Sequence, residues 1–178
     1  MNTFDEIVAR RRSIRSYDET KPVLKEELES VIATALEAPS WDNAQTSRYH
    51  VVMSEDMKTK LRECVAPQNA MVSKGAGAMV VTTFVKGRSG FKKGEPVNDL
   101  GDVWGSYDLG LQGAYFLLKA TEMGLDTIVT GLRDADKVRA LLEIPEDEII
   151  VSIIMVGHRS KDGVRPKRKA VEEVAKFY

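Results

Sequence analysis

Apolar side chains recur at helical spacing in several parts of the chain. Near the N-terminus such a stripe follows Thr3 and Glu6, a capping-box pair that predicts a helix running to about Arg12. The segment from Asn98 to Met123 predicts a long helix that Gly124 ends, because glycine favours the left-handed position after a helix. The same helical period predicts further helices over about residues 25–37, 55–65 and 134–142.

Shorter apolar runs between these helices predict β-strands. Residues Ala78 to Val85 are β-branched and mostly apolar, which is typical of a buried strand. Lys86 to Pro96 is polar and rich in glycine, which predicts a surface loop. The length of 178 residues favours one domain spanning residues 1–178. Further strands are predicted over about residues 49–53, 127–129 and 148–156.

The long predicted helix is apolar around most of its circumference, with Trp104 and Tyr107 on one side and Leu109 and Phe116 on another. A helix that is apolar all round is buried on all sides. At about 1.5 Å per residue it would extend for about 40 Å, the width of a small domain. We therefore expect it to lie at a subunit interface, although a central core helix of a monomer would have the same pattern.

Composition and charge narrow the classes of function. The net charge of −1 leaves no overall field that would favour nucleic acid or an anionic membrane. The single cysteine, Cys64, excludes an intramolecular disulfide and is interpreted as a packed thiol. The N-terminus lacks a signal-peptide pattern, and no apolar run approaches the roughly 20 residues of a membrane helix. These features predict a cytoplasmic protein without nucleic-acid or membrane partners.

Arginines concentrate near the N-terminus, at Arg10, Arg11, Arg12 and Arg15. Arg11 and Arg15 stand at helical i and i+4 positions, where like charges repel. An anion among the guanidinium groups would relieve this repulsion, and arginine suits phosphate because its planar fork makes paired contacts. Ser13 adds a hydroxyl in the same place. The alternative is a solvated helix end, where cations are favoured by the helix dipole.

A second basic cluster lies near the C-terminus, from Arg159 to Lys169. It too has a simple alternative, a solvated tail. In a protein of almost neutral charge, however, positive residues near both termini suggest that the two ends converge on one phosphate.

The loop from Pro39 to Gln45 offers amides and a hydroxyl without an apolar period. Asn and Gln side chains present a donor and an acceptor on one plane, which suits the edge of a heteroaromatic ring. An ordinary polar turn has the same composition. Complete dinucleotide-binding, phosphate-loop, zinc and serine-hydrolase motifs are missing from the sequence. If the protein is an enzyme, a cofactor would carry its chemistry.

The order of these segments resembles the nitroreductase family, over nearly the whole chain. Arg11-Arg12-Ser13-Ile14-Arg15 is similar to the family's opening Arg-Arg/His-Ser-x-Arg/Lys motif. Pro39-Ser40-x-x-Asn43-x-Gln45 is similar to its Pro-Ser-x-x-Asn-x-Gln segment, which the other subunit contributes. Ile128 to Gly131 falls where the family places backbone amides beside flavin N5, and Pro166-Lys167-Arg168 is similar to its C-terminal phosphate-binding segment.

The resemblance implies an α+β nitroreductase-like fold, with a mixed central β-sheet flanked by helices, in a domain-entwined homodimer with FMN at the interface. It implies NAD(P)H as the electron donor and ping-pong hydride transfer to a small-molecule acceptor such as a nitroaromatic or a quinone. Flavin N5 would carry the chemistry, with no catalytic side chain and no metal. The cofactor-binding residues that it implies are Arg11, Arg12, Ser13, Arg15, Pro39, Ser40, Trp41, Asn43, Gln45, Asn69, Thr130, Gly131, Lys167 and Arg168.

The chain departs from the family pattern where Thr46-Ser47 follows Gln45 in place of the usual Pro-Trp. The segment Lys86 to Pro96 also replaces an element that often covers the substrate, so substrate specificity does not follow from the resemblance. A non-catalytic flavin-binding module remains the alternative function. A nucleic-acid binder with basic ends is disfavoured, because no aromatic residues interleave with its basic clusters.

Overall fold

The computed structural model describes residues 3–178. Met1 and Asn2, which belong to the predicted domain and to the N-terminus searched for a signal, lie outside the described residues. The helices are α1 (Phe4–Arg10), α2 (Lys25–Leu36), α3 (Glu55–Arg62), α4 (Pro67–Val72), α5 (Val103–Glu122) and α6 (Ala135–Leu142). The strands are β1 (Ser47–Val52), β2 (Ala78–Val85), β3 (Phe91–Lys92), β4 (Glu95–Pro96), β5 (Asp126–Thr130) and β6 (Glu148–Gly157).

The main sheet has the strand order β1-β2-β6-β5, and its neighbouring strands pair antiparallel. A parallel bridge between Ser13 and Thr127 adds the N-terminal segment beside β5, so both kinds of pairing occur. The register between β2 and β6 shifts between Thr82 and Thr83, which indicates a bulge. This arrangement leaves β5 at the edge of the sheet, where only a short piece of chain accompanies it.

Each face of the sheet carries its own apolar cluster. On one face, α2 and α5 cover residues that include Val80 and Ile154, and Phe116 of α5 is fully buried there. On the other face, Leu61 and Val138 from α3 and α6 belong to a cluster with strand residues. Burying one such large side chain stabilises the fold by about 1.5–3 kcal/mol. The sheet residues of β2 are therefore almost all buried, as its apolar sequence predicts.

The long helix differs from its prediction in extent, and part of its circumference is exposed within the protomer, which leaves the expected subunit interface a prediction. It begins at Val103 rather than Asn98, because Gly101 adopts a left-handed φ of 48°. Gly124 follows its C-terminus with a φ of 82°, as predicted. The helix is not buried all round within the protomer, since Tyr107 and Tyr115 are exposed. A mostly apolar groove of about 340 Å³ runs between its exposed side and the sheet, lined by residues that include Tyr49, Gly110, Gly113, Leu117, Val129 and Ile154.

Other boundaries differ for local reasons. Helix α3 ends at Arg62 instead of 65, and the chain then extends so that Val65 can bridge Arg133. The short helix α4 begins at Pro67, which fits a first helical position because it has no N–H to satisfy. The predicted loop Lys86 to Pro96 contains the hairpin of β3 and β4. Within residues 3–178, no helix is both long and apolar enough to cross a membrane.

Candidate functional site

The segment after α1 runs in extended form along the edge of β5. The capping box of Thr3 and Glu6 starts α1, as predicted, but the helix ends at Arg10. The N–H of Ile14 donates to the carbonyl oxygen of Thr127 at 3.0 Å, and the Ile14 side chain is 1% exposed. Because side chains alternate along an extended chain, this anchor directs Ser13 and Arg15 outward. Both are exposed in the structure, in place of the helical i, i+4 arrangement.

The structure brings the two basic ends of the chain together at Arg12. A Cβ placed on Gly163 would lie 3.0 Å from Arg12 Cβ, so the C-terminal segment packs directly on this residue. Burial lowers the pKa of the Arg12 guanidinium, and the positive charges of Arg165, Arg11 and Arg168 lower it further. The convergence suggested by the sequence is therefore present.

The arginines that meet here have no carboxylate partner among the described residues. In residues 3–178, Arg11, Arg12, Arg165 and Arg168 form no ion pair. Gathered like charges without a counter-ion of their own form a site suited to an anion, and guanidinium groups suit phosphate best. We call Arg11, Arg12, Arg165 and Arg168 the arginine cluster.

The remaining basic residues near the C-terminus are arranged differently. Arg159 is committed to Asp126, whose Oδ1 lies 2.5 Å from Arg159 Nη2. That hydrogen bond raises the pKa of Arg159 and fixes the end of β6 to the start of β5. Lys167 is exposed beside Arg168 in the chain. Arg159 therefore stabilises the fold, and it is not counted in the arginine cluster because its charge is already paired with Asp126.

The edge of β5 continues from Ser13 towards Gly131. The hydroxyl of Thr130 donates to the carbonyl oxygen of Ile153 at 3.0 Å, so it is used within the sheet. Since the backbone groups of an antiparallel strand alternate in direction, the side of Thr127 that bonds Ile14 is also the side of Val129. A Cβ on Gly131 would meet nothing within 4 Å. Gly131, which follows directly after β5, therefore leaves room for a ligand beside its backbone.

Asn69 lies beside this position. Its side-chain amide donates to the carbonyl oxygen of Leu132 at 3.0 Å, and α4 begins where the N–H of Ala66 bonds the same oxygen. Asn69 is therefore tied to the turn that follows Gly131. Ser13 thus lies beside Thr127 of β5, and Asn69 lies beside the turn after the end of that strand.

The loop Pro39 to Gln45 adopts an unusual conformation. Asp42, Asn43 and Gln45 all have left-handed φ values, of 49°, 54° and 48°. The N–H of Gln45 donates to Ser40 Oγ at 3.1 Å, and Gln45 Nε2 donates to Asn43 Oδ1 at 3.2 Å. Asn43 and Gln45 are exposed, so the loop presents its amide side chains outward.

This loop and the β5 edge form separate groups in one protomer. Within residues 3–178, no hydrogen bond, ion pair or β-bridge joins the loop to the Arg11–Arg15 segment or to Gly131. The loop is instead anchored to α5, where Trp41 N–H donates to Asp108 Oδ2 at 3.0 Å. The predicted residues therefore fall into two groups on the surface of the protomer.

Sequence reasoning missed two residues that matter here. Arg165 was one basic residue among several, and only the packing of Gly163 on Arg12 singles it out. Asp108 stood inside an apolar helix and carried no motif, yet it is 1% exposed and anchors the loop. The signal that could have found it is that Asp108 is the only charged residue between Val103 and Leu118.

Comparison with known proteins extends these observations. The protein-family model described as "Nitroreductase family" matches residues 8–158 of this chain. MhqN of Bacillus subtilis (strain 168) is 26% identical over 214 residues, covering 99% of this chain and 100% of MhqN. The FMN reductase (NAD(P)H) of the same organism is 26% identical over 182 residues, covering 98% of this chain and 73% of that protein.

A solved structure shares the fold. A protein of Exiguobacterium sibiricum 255-15, determined in complex with FMN, superposes with a TM-score of 0.83 at 22% identity, covering 100% of this chain and 98% of that one. The predicted α+β fold is thereby confirmed. Because the family model matches most of the length of this chain, the chain belongs to the nitroreductase family.

Proposed function

We propose that the protein is an FMN-dependent oxidoreductase that uses NAD(P)H to reduce an electron-poor small molecule, and that the chain acts as a single domain. The arginine cluster carries this proposal, because gathered guanidinium groups without a carboxylate partner suit a phosphate. The FMN reductase that resembles the chain and the FMN complex of similar fold support the choice of cofactor. Bound FMN would supply hydride transfer at N5, in one half-reaction with the donor and one with the acceptor.

The arginine cluster would hold the FMN phosphate, with Lys167 at its margin. Arg11, Arg12 and Arg168 each offer a planar fork of donors, and the mutual repulsion that they experience disappears when two negative charges enter. Ser13 and Arg15 follow along the same edge and would bind the ribityl chain and the ring oxygens. A cation beside those ring oxygens would stabilise negative charge that develops on the reduced ring.

The far end of the edge fits the flavin ring. From Ser13, which lies beside Thr127, to Gly131 the strand advances by about 13 Å at roughly 3.3 Å per residue, so the edge suits an elongated ligand. The Gly131 amide, with Thr130 behind it, would donate to the ring, and the missing side chain at Gly131 lets the ring approach. Asn69 would help to orient the flavin through the hydrogen-bonding groups that its contact with Leu132 leaves available.

The loop residues Pro39, Ser40, Trp41, Asn43 and Gln45 would come from a second copy of the chain. Among the described residues of one protomer, no hydrogen bond, ion pair or β-bridge joins them to the β5 edge, so a homodimer would complete the site. The apolar groove beside α5 and the exposed side chains of Val171, Val174 and Phe177 in the C-terminal tail support such an interface. Contiguous exposed apolar surface is typical of protein–protein contacts.

A visible spectrum of the purified protein, with titration of added FMN, tests the cofactor. We expect a flavin band or tight binding, and the absence of both refutes the proposal. Arg15→Ala should weaken FMN binding by about tenfold, since it removes a charged contact. Lys60→Ala, which alters an exposed cation on α3, is the control and should bind FMN normally.

Turnover separates the enzyme from a flavin-binding module. We expect NADH or NADPH to be oxidised in the presence of nitroaromatics or quinones, with parallel-line kinetics that indicate two half-reactions. Bound FMN without oxidation of either nucleotide, for any acceptor in the panel, would instead identify a non-catalytic module.

A further inference from the structure

We propose that Asp108 is a positioning residue, which holds the loop Pro39 to Gln45 in the conformation that presents Asn43 and Gln45. Asp108 does not belong to the loop but to the second turn of α5. The inference about the loop stands on the protomer alone. Its consequence for flavin binding rests on the proposed function.

The surroundings of the Asp108 carboxylate show why it is present. It is 1% exposed, and its Oδ2 accepts hydrogen bonds from Trp41 N–H at 3.0 Å and from the Ser89 hydroxyl at 2.6 Å. Both donors are neutral. A buried carboxylate is costly, and packing alone would be served as well by an apolar residue. The carboxylate therefore serves to hold in place the two segments that donate to it, one at Trp41 and one at Ser89.

The loop needs such an anchor because its backbone is strained. Asp42, Asn43 and Gln45 lie in the left-handed region, which non-glycine residues seldom occupy and which persists only where the surroundings enforce it. A rigid Pro-Trp pair does not follow Gln45 in this chain. The hydrogen bond from Trp41 N–H fixes the beginning of the strained stretch, and the charge on Asp108 strengthens it.

The same carboxylate also ties the β3–β4 hairpin to the loop. Ser89, which is 2% exposed, precedes the hairpin and donates to Asp108. From the hairpin, Lys92 Nζ lies 5.9 Å from the centre of the Trp41 ring, within the range of a cation–π contact. Asp108 therefore sets the position of the loop and the hairpin together, with Trp41 between them.

The test compares Asp108→Ala with Gln112→Met in the full-length protein. Gln112 is a matched control because it lies one turn later on α5, is 2% exposed and accepts a hydrogen bond from Tyr49 Oη at 3.0 Å, but within residues 3–178 forms no hydrogen bond with the loop. Three quantities are measured for each variant: the melting temperature, the hydrogen-exchange rate of the Trp41 amide, and the dissociation constant for FMN.

We expect both variants to melt earlier, while only Asp108→Ala changes the loop. In Asp108→Ala the Trp41 amide should exchange about tenfold faster than in wild type, and FMN should bind about tenfold more weakly. In Gln112→Met both should stay within about twofold of wild type. Asp108→Asn keeps the volume and one acceptor oxygen, so it should recover part of the loss. If Asp108→Ala does not fold, Asp108→Asn replaces it, with a smaller change of the same sign.

The measurements separate this proposal from the proposed function. If wild type binds no FMN, the proposed function fails, whereas Trp41 exchange still decides whether Asp108 holds the loop. If wild type binds FMN but Asp108→Ala matches Gln112→Met in exchange and in affinity, the positioning role is overturned while the flavoprotein assignment stands.

Discussion

Ala114→Glu tests whether the exposed side of α5 is covered by a second copy. Ala114 is exposed, and it borders both the groove of about 340 Å³ beside Val129 and another of about 410 Å³ beside Tyr115. In a free protomer the new carboxylate would remain in water, and the difference in helix propensity costs only a few tenths of a kcal/mol. In the proposed homodimer it would be buried without a cation, at a cost of about 3 kcal/mol or more.

That cost corresponds to dimerisation weakened by at least about 100-fold. Sedimentation velocity over a range of protein concentrations, with the FMN content of each species, measures it directly. We expect wild type to sediment as a dimer and Ala114→Glu to shift to a monomer that loses FMN. Ala140→Glu, the same change at an exposed position on α6, should leave both quantities unchanged. A monomeric wild type, or identical behaviour of the two variants, would refute the proposed interface.

Three further outcomes follow from named contacts. Gly105→Ala should destabilise the fold by about 1–3 kcal/mol despite its better helix propensity, because the new Cβ would lie 2.2 Å from Phe84 Cδ2; an unchanged melting temperature would contradict this packing. Burial raises the pKa of Glu148, but hydrogen bonds from Thr83 and His50 outweigh it and leave the pKa below its usual value. The stabilisation that ionised Glu148 provides is thus complete when the pH lies above the usual pKa of a glutamate, and it is lost as the pH falls through the lowered pKa. The melting temperature of Glu148→Gln should therefore change less than that of wild type as the pH falls into the acid range. Rising salt should weaken binding of FMN far more than of riboflavin, which lacks the phosphate, and equal salt dependence would argue against the arginine cluster as its site.

Much of the fold followed from local pattern. Strand β2 was predicted at both of its ends, because a run of β-branched and apolar residues has no other stable place than a buried strand. Helix α4 was missed, since its six residues are too few to show a helical period. The hairpin was missed because its turn at Lys93 and Gly94 depends on positive φ angles that a polar composition does not reveal.

For the candidate site, too, some features could be predicted from the sequence and others could not. Its motifs were visible as short segments, and the meeting of the two basic ends was suggested by charge alone. The relative positions of these segments could not be predicted from the sequence. They depend on long-range pairing, such as Ser13 with Thr127, and on the packing of Gly163 against Arg12. Asp108 shows the limit most clearly, since its partners Trp41 and Ser89 are distant in the sequence and only the folded chain brings them together.

The arginine cluster has a consequence for the lifetime of the protein. Without an anion, repulsion between Arg12 and the pair Arg165 and Arg168 opposes docking of the C-terminal segment, whose Phe177 is already exposed. A ligand that binds only the folded form adds stability with its concentration, about 2.7 kcal/mol at a hundredfold excess over its dissociation constant. Proteases would therefore degrade the flavin-free protein first, and its abundance in a cell would follow the supply of flavin without any dedicated regulator.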